Sequence, residues 1–190
     1  MKNSIQSLIQ ASIDVKQSIL ADEAIQHSLE AIVTAVTNSF KNGNKVMFCG
    51  NGGSAADAQH LAAEFSGRFY KNRRSLPSDA LHCNTSYLTA VANDYSYDEI
   101  YARLVEGTMD KGDVLIGLTT SGNSPNIIKA FEAARAKGIT TVGFTGSTGG
   151  KLKPLSDYLL NVPSDITPRI QESHILLGHI ICELVEAAIF

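Results

Sequence analysis

Two stretches of this chain repeat one design: a short apolar run, an abrupt polar turn, then a helix-forming segment. The first is Val46-Met47-Phe48-Cys49, broken by Gly50-Asn51-Gly52-Gly53 and followed by an alanine-rich segment to Glu64. The second is Asp113–Leu118, broken by Thr119-Thr120-Ser121-Gly122-Asn123-Ser124 and followed by a segment that opens on Pro125. Short apolar runs bounded by turn residues have the length of buried strands, and nearly unbroken apolarity marks strands covered on both faces. Ser54 is expected to cap the first helix with Asp57 in its first turn, and Pro125 suits the first position of the second. Strand–helix alternation of this kind predicts an α/β fold, a parallel sheet with helices on both sides. Ligands in such sheets bind beyond the carboxyl ends of the strands, where both polar turns lie.

The remaining chain fills in that plan. Apolar spacing predicts helices over Ile5–Leu20 and from Ile25 to Phe40, the latter stopping at Asn42-Gly43. These two helices either pack on a second subunit or cover one sheet face. Ser78–His82 reads as a strand and Thr85–Ala92 as a helix interrupted at Asn93-Asp94. A helix resumes over Tyr97–Glu106, Ile127–Lys137 is amphipathic, and strands follow at Ile139–Phe144 and Tyr158–Val162. A long helix from Pro168 to Ala188 closes the chain, and 190 residues without a dividing linker read as one domain over 1–190.

A net charge of −3 argues against nucleic acid as a partner. The one basic cluster, Lys71-Asn72-Arg73-Arg74, reads as a solvated loop. Cys49, Cys83 and Cys182 match neither a metal spacing nor a disulfide framework. Cys49 and Cys83 read as buried, inert thiols. With no secretory leader and no membrane-length apolar run, the expected location is the cytoplasm.

Three constellations carry chemistry. The turn at Thr119–Ser124 offers hydroxyls and backbone N–H groups at a helix N-terminus, a setting suited to phosphate. A hydroxyl-rich turn also serves as an ordinary cap. It lacks the lysine of a nucleotide-binding P-loop. His60 and Glu64 are four apart and share a helix face. On the last helix, Gln171 lies ~60° from His174 and ~80° from His179, whereas the two histidines are ~140° apart, at ~100° per residue. Gln171 can therefore share a site with either. His179, among Leu176, Leu177, Ile180 and Ile181, would ordinarily be a satisfied core histidine. His60, Glu64, Gln171 and His179 offer a mixed nitrogen and oxygen set for a divalent metal such as zinc. Glu64 and a histidine could instead act as base and acid.

CGNGGSAADAQHLAAEFSGRF, VANDYSYDEIYAR, TTSGNSPNIIKAFEAA and RIQESHILLGHIICELVE together resemble the SIS (sugar isomerase) domain family and, within it, the phosphoheptose isomerases. The resemblance spans nearly the whole chain. It implies a three-layer α/β/α sandwich on a five-stranded parallel sheet, and a homotetramer whose sites draw on more than one subunit, with the helices of residues 1–43 used in oligomer packing. It implies conversion of D-sedoheptulose 7-phosphate to D-glycero-D-manno-heptose 7-phosphate through an enediol, the first step toward ADP- or GDP-heptose for lipopolysaccharide core or surface polysaccharide. By the same resemblance Thr119, Thr120, Ser121 and Ser124 hold the phosphate, and Asn51, Gly52, Gly53, Ser54, Asn93, Asp94 and Gln171 line the sugar with Glu64. His60, Glu64, Gln171 and His179 match zinc ligands, one ion per subunit. Glu64 matches the base and His179 the acid. Thr119 stands where the commonest pattern has serine, a change that keeps the hydroxyl.

Two other classes share these motifs. Relatives that bind the replication initiator DnaA resemble this chain in fold and glycine turn but look to lack the glutamate and the last histidine, both present here. Sugar-phosphate-sensing modules come fused to a DNA-binding segment, for which this length leaves no room.

Overall fold

The apolar runs become a single parallel sheet in the computed structural model, which describes residues 2–190. Met1, where the expected domain begins, lies outside the described residues. The strands are β1 (Val46–Gly50), β2 (Ser78–Ala80), β3 (Val114–Leu118), β4 (Thr140–Thr145) and β5 (Tyr158–Asn161), in the spatial order β2-β1-β3-β4-β5. β3 lies at the centre and all five of its residues are buried. β2, at the edge, is three residues long and stops short of the expected His82, as edge strands commonly do.

Seven helices flank this sheet. On one face lie α2 (Glu23–Lys41), α3 (Gly53–Ser66) and α7 (Thr167–Ile189), packed on Phe48, Ile116 and Phe144. On the other lie α4 (Thr85–Asp94), α5 (Ile100–Thr108) and α6 (Pro125–Ala136), packed around Cys49, Leu115 and Phe131. α1 (Lys2–Ala21) lies outermost, against α7 and α2. Asp22 caps α2 by accepting from the N–H groups of Ala24 and Ile25.

Of the two roles expected for the N-terminal helices, α2 takes that of covering the sheet. α2 buries Ile25, Leu29, Ile32, Val36 and Phe40 and so covers the sheet. α1 buries only Ile19 and leaves Ile5, Leu8, Ile9 and Ile13 exposed.

Four local expectations need correction. α3 starts earlier than Ser54: Gly52 adopts φ +56, which turns the chain straight out of β1 and makes this glycine the N-cap. Ser54 is consequently inside the helix and buried, and Asp57 falls in the second turn. α4 runs through Asn93 and Asp94 and ends at Tyr95, because the Val91 carbonyl still accepts from the Tyr95 N–H. Cys83 is exposed, since β2 ends three residues before it, whereas Cys49 and Cys182 are buried.

β1 is followed by a helix on one face and β3 by a helix on the other. These neighbouring strands are in register, Gly50 opposite Leu118, so their turns leave the sheet side by side. That is the topological switch point, where open parallel sheets form a ligand crevice.

Candidate active site

At the switch point the two turns are tied together. Asn51 and Asn126 exchange side-chain hydrogen bonds, each at 2.9 Å, and the Tyr97 hydroxyl donates to Asn51 Oδ1 at 3.1 Å. Asn126 is buried and braces Asn51, one of the expected sugar contacts. Tyr101 donates its hydroxyl to the Gly50 carbonyl beneath the same turn. Sequence reading missed Asn126, Tyr97 and Tyr101, and the only available signal for Asn126 was its place just after the helix-opening proline. The Tyr97 bond also draws the end of α4 toward the turn, although Asn93 and Asp94 themselves are exposed and bond to each other.

The second turn is shaped as a cradle. Thr119 Oγ1 and Ser124 Oγ stand 3.0 Å apart, and Ser121 Oγ accepts from the Asn123 N–H. Thr120 and Ser121 open onto a cleft of about 260 Å³ shared with Ser147, Thr148, Ser164 and Thr167. Hydroxyls from several loops converge there beside the carboxylate of Asp165, and the turn itself leads into the N-terminus of α6.

The histidines and the glutamate converge elsewhere, on the seam between α3 and α7. Gly178 faces Leu61 so closely that a Cβ would lie 2.5 Å from Leu61 Cδ1, so any side chain there would push Leu61 out of its place in the core. With the helices this near, His60 Nε2 lies 2.9 Å from His179 Nε2 and 3.2 Å from Glu64 Oε1. The three potential ligand atoms all fall within 4.8 Å of one another, the one such group among the described residues. His60 is exposed; Glu64 and His179 are half-buried. Burial lowers the pKa of His179, the neighbouring His60 lowers it further, and Glu64 opposes both. His179 is thus biased toward the neutral imidazole, the form that binds metal.

Gln171 is at the other end of this seam. Its amide lies beside Gly53, where an added Cβ would sit 2.6 Å from Gln171 Nε2. Eight residues separate it from His179, about 12 Å along the α7 axis. The structure therefore brings His60, Glu64 and His179 together and leaves Gln171 beside the glycine turn. Two imidazole nitrogens and a carboxylate oxygen form a donor set that could hold a divalent metal ion. To become a fourth ligand there, Gln171 would have to leave Gly53.

The core histidine is His174 instead, bonded through one ring nitrogen while its buried Nδ1 has no partner among the described residues. It is fully buried, its Nε2 is 3.2 Å from the Thr145 carbonyl, and burial pushes its pKa down to about 4. A folded value below the unfolded ~6.5 means stability is complete above that pH and declines as pH falls toward 4, by up to about 3 kcal/mol at ~1.4 per unit. Urea unfolding of His174→Gln should lack this part of the slope. Equal slopes in both proteins would remove His174 as its source.

The basic cluster is not simply a solvated loop. Lys71 and Arg74 are exposed, but the Arg73 side chain is 2 % exposed and bonded to Glu186. Its partner is 113 residues away, which no local pattern reveals.

Comparison with known proteins gives this geometry a family. A pattern described as the SIS domain matches residues 10–146. A phosphoheptose isomerase from Aneurinibacillus thermoaerophilus is 55% identical over 190 residues, all of this chain and 96% of that protein. The chain belongs to the phosphoheptose isomerase family of SIS-domain proteins. Solved phosphoheptose isomerases resemble it throughout. The one from Francisella tularensis superposes with a TM-score of 0.93 at 34% identity and 97% coverage of each chain. The one from Neisseria gonorrhoeae gives 0.92 at 38% identity and 98% coverage of each. Membership makes the chain an isomerase, and its five-stranded α/β/α architecture is the family's. No described helix is long and apolar enough to cross a membrane.

Proposed function

We propose that this isomerase converts D-sedoheptulose 7-phosphate to D-glycero-D-manno-heptose 7-phosphate, the opening step toward an activated heptose for lipopolysaccharide core or surface polysaccharide. The observation that carries the reading is the meeting of Glu64 and His179 across the α3–α7 seam. Ketose-to-aldose conversion needs one carboxylate within reach of two adjacent carbons and a partner that moves the hydroxyl proton. Glu64 removes the C1 proton to give the enediol and returns it to C2. His179 moves the proton between the two oxygens. Asn51, Gly52, Gly53, Ser54, Asn93, Asp94 and Gln171 line the sugar, and Thr119, Thr120, Ser121 and Ser124 hold its phosphate. A DnaA-binding role would leave the paired Glu64 and His179 unexplained.

His60, Glu64 and His179 would hold a zinc ion, with Gln171 as the residue able to complete the set. Bound there, zinc supplies positive charge that stabilises an enediolate oxygen.

The distances within one chain favour a site shared between subunits. Glu64 lies eleven residues into α3 from Gly53, about 16 Å along the helix axis. That is longer than the carbon chain of a heptose, so a sugar held at Gly53 would meet the base of a neighbouring subunit rather than its own, which suits a homotetramer. The exposed Ile5, Leu8, Ile9 and Ile13 of α1 offer apolar surface for such packing. The native mass, read by sedimentation, decides between four chains and one. The three cysteines are free, in keeping with a cytoplasmic enzyme.

The deciding experiment incubates the protein with sedoheptulose 7-phosphate and follows products by NMR, before and after metal removal by a chelator. The expected result is an aldoheptose phosphate, lost on chelation and restored by Zn²⁺. No aldose product from metal-replete protein would overturn the substrate assignment, and full activity of metal-free protein would overturn the zinc.

A further inference from the structure

The most elaborate polar arrangement outside the two turns lies behind the His60–Glu64–His179 cluster, at the far end of the α3–α7 seam. Glu186, on the last turns of α7, is 2 % exposed. Its Oε1 accepts from the Phe69 N–H at 3.0 Å and from Arg73 Nε at 2.9 Å. Its Oε2 accepts from the N–H groups of Tyr70 at 2.8 Å and Lys71 at 2.9 Å. Burial works against this charge, but the three backbone donors and the guanidinium outweigh it and hold the carboxyl at about 2.

The guanidinium then reaches α3. Arg73 Nη2 donates to the Glu64 carbonyl at 2.8 Å, and Nη1 donates to the carbonyls of Phe65 at 2.7 Å and Gly67 at 3.1 Å. The last carbonyls of a helix have no partner within it, and a cation there is favoured by the dipole. Arg73 therefore satisfies the final turn of α3, and one of the carbonyls it holds belongs to Glu64. The same loop delivers the Phe69 ring to His179, with centroids 5.8 Å apart. One ion pair fixes the backbone of the base and the ring that packs on the acid.

A structural account of the pair asks only for stability. Buried ion pairs are weak devices for that, because desolvating both charges offsets most of their attraction. The direction of the donors is the informative part, since the charge is spent on a single turn and a single loop that converge on one cluster.

We infer that Arg73 and Glu186 are positioning residues for Glu64 and His179, holding the α3 terminus and the Phe69 loop in the geometry that the proton transfer and the metal require. The inference rests on the isomerase reading for its catalytic arm and on geometry alone for its structural arm.

The test is Arg73→Lys, which keeps the buried charge for Glu186 but cannot fork between the carbonyls of Glu64 and Phe65. At a temperature where both proteins are fully folded by circular dichroism, we expect kcat to fall 10–100-fold with KM within about threefold, and Zn²⁺ affinity to fall by a similar 10–100-fold. In metal-free protein, the NMR ring-proton signals of His60 and His179 should shift. Native kcat, native Zn²⁺ affinity and unmoved ring signals in a folded Arg73→Lys protein would overturn the proposal, as would a lower thermal midpoint as the sole change. If the native enzyme itself fails to isomerise the heptose phosphate, that failure belongs to the substrate assignment, and the ring signals still decide the positioning role. Should Arg73→Lys not fold, Phe69→Leu keeps the ion pair and strips the ring from His179. Unmoved His179 signals in that variant would equally overturn the idea.

Discussion

Glu64→Gln is expected to abolish isomerisation, lowering kcat on the order of 10⁴-fold, the upper range for losing a positioned general base. The amide keeps the size of the side chain and an oxygen to face His60, but it cannot accept a carbon-bound proton. Because the Glu64 side chain is only half-buried at the α3–α7 seam and its carbonyl, not its carboxylate, is bonded to Arg73, folding and assembly should be unaffected. The measurement is steady-state turnover of sedoheptulose 7-phosphate, with sedimentation of the variant beside the native protein. Near-normal turnover would remove Glu64 as the base. A variant that is inert but also dissociated would show that the loss is structural.

His179→Gln should cost at least about 100-fold in kcat, the usual scale for an acid–base partner. The environment of the ring explains why a neutral, titratable group is needed. Burial and His60 both disfavour its charge, with Glu64 in opposition, which biases it toward the uncharged imidazole, a form that can take up a proton and pass it on. Glutamine offers hydrogen bonds of similar reach but no proton to transfer. Since the proposed phosphate contacts at Thr119–Ser124 are on other elements, KM should change much less than kcat. A large rise in KM with kcat preserved would instead place His179 in substrate binding.

The scaffold of this site was legible because its signals are local. Apolar runs ending in glycine or hydroxyl turns specified β1 and β3 and the helices after them, and the four-residue spacing put His60 beside Glu64 without reference to the rest of the chain. What was hidden depends on contacts across the sequence. His179 reads as a core residue by its neighbours, and only the close approach at Gly178 reveals that it faces His60 while His174 takes the core position. Arg73 sits in a stretch that reads as solvated, and its burial follows from a carboxylate on the last helix. Asn126 looks like an ordinary first-turn residue until Asn51 is found opposite. The start of α3 was misplaced because Ser54 is a strong capping residue in isolation, while a glycine with positive φ two residues earlier turns the chain first.

The last helix also imposes an order on how an active enzyme comes into being. The sheet has all five strands once Asn161 has been made, and domains fold as units during synthesis at roughly 5–20 residues per second. His60 must then wait for a partner 119 positions further along the chain. Until α7 docks, the nascent protein has a scaffold and the hydroxyl turn at Thr119–Ser124 but no His179, no Glu186 to seat Arg73, and an open apolar flank over Leu61 and Phe65. The His60–Glu64–His179 group therefore forms only after α7 has been made and docked, and a chain lacking α7 would leave that apolar flank uncovered.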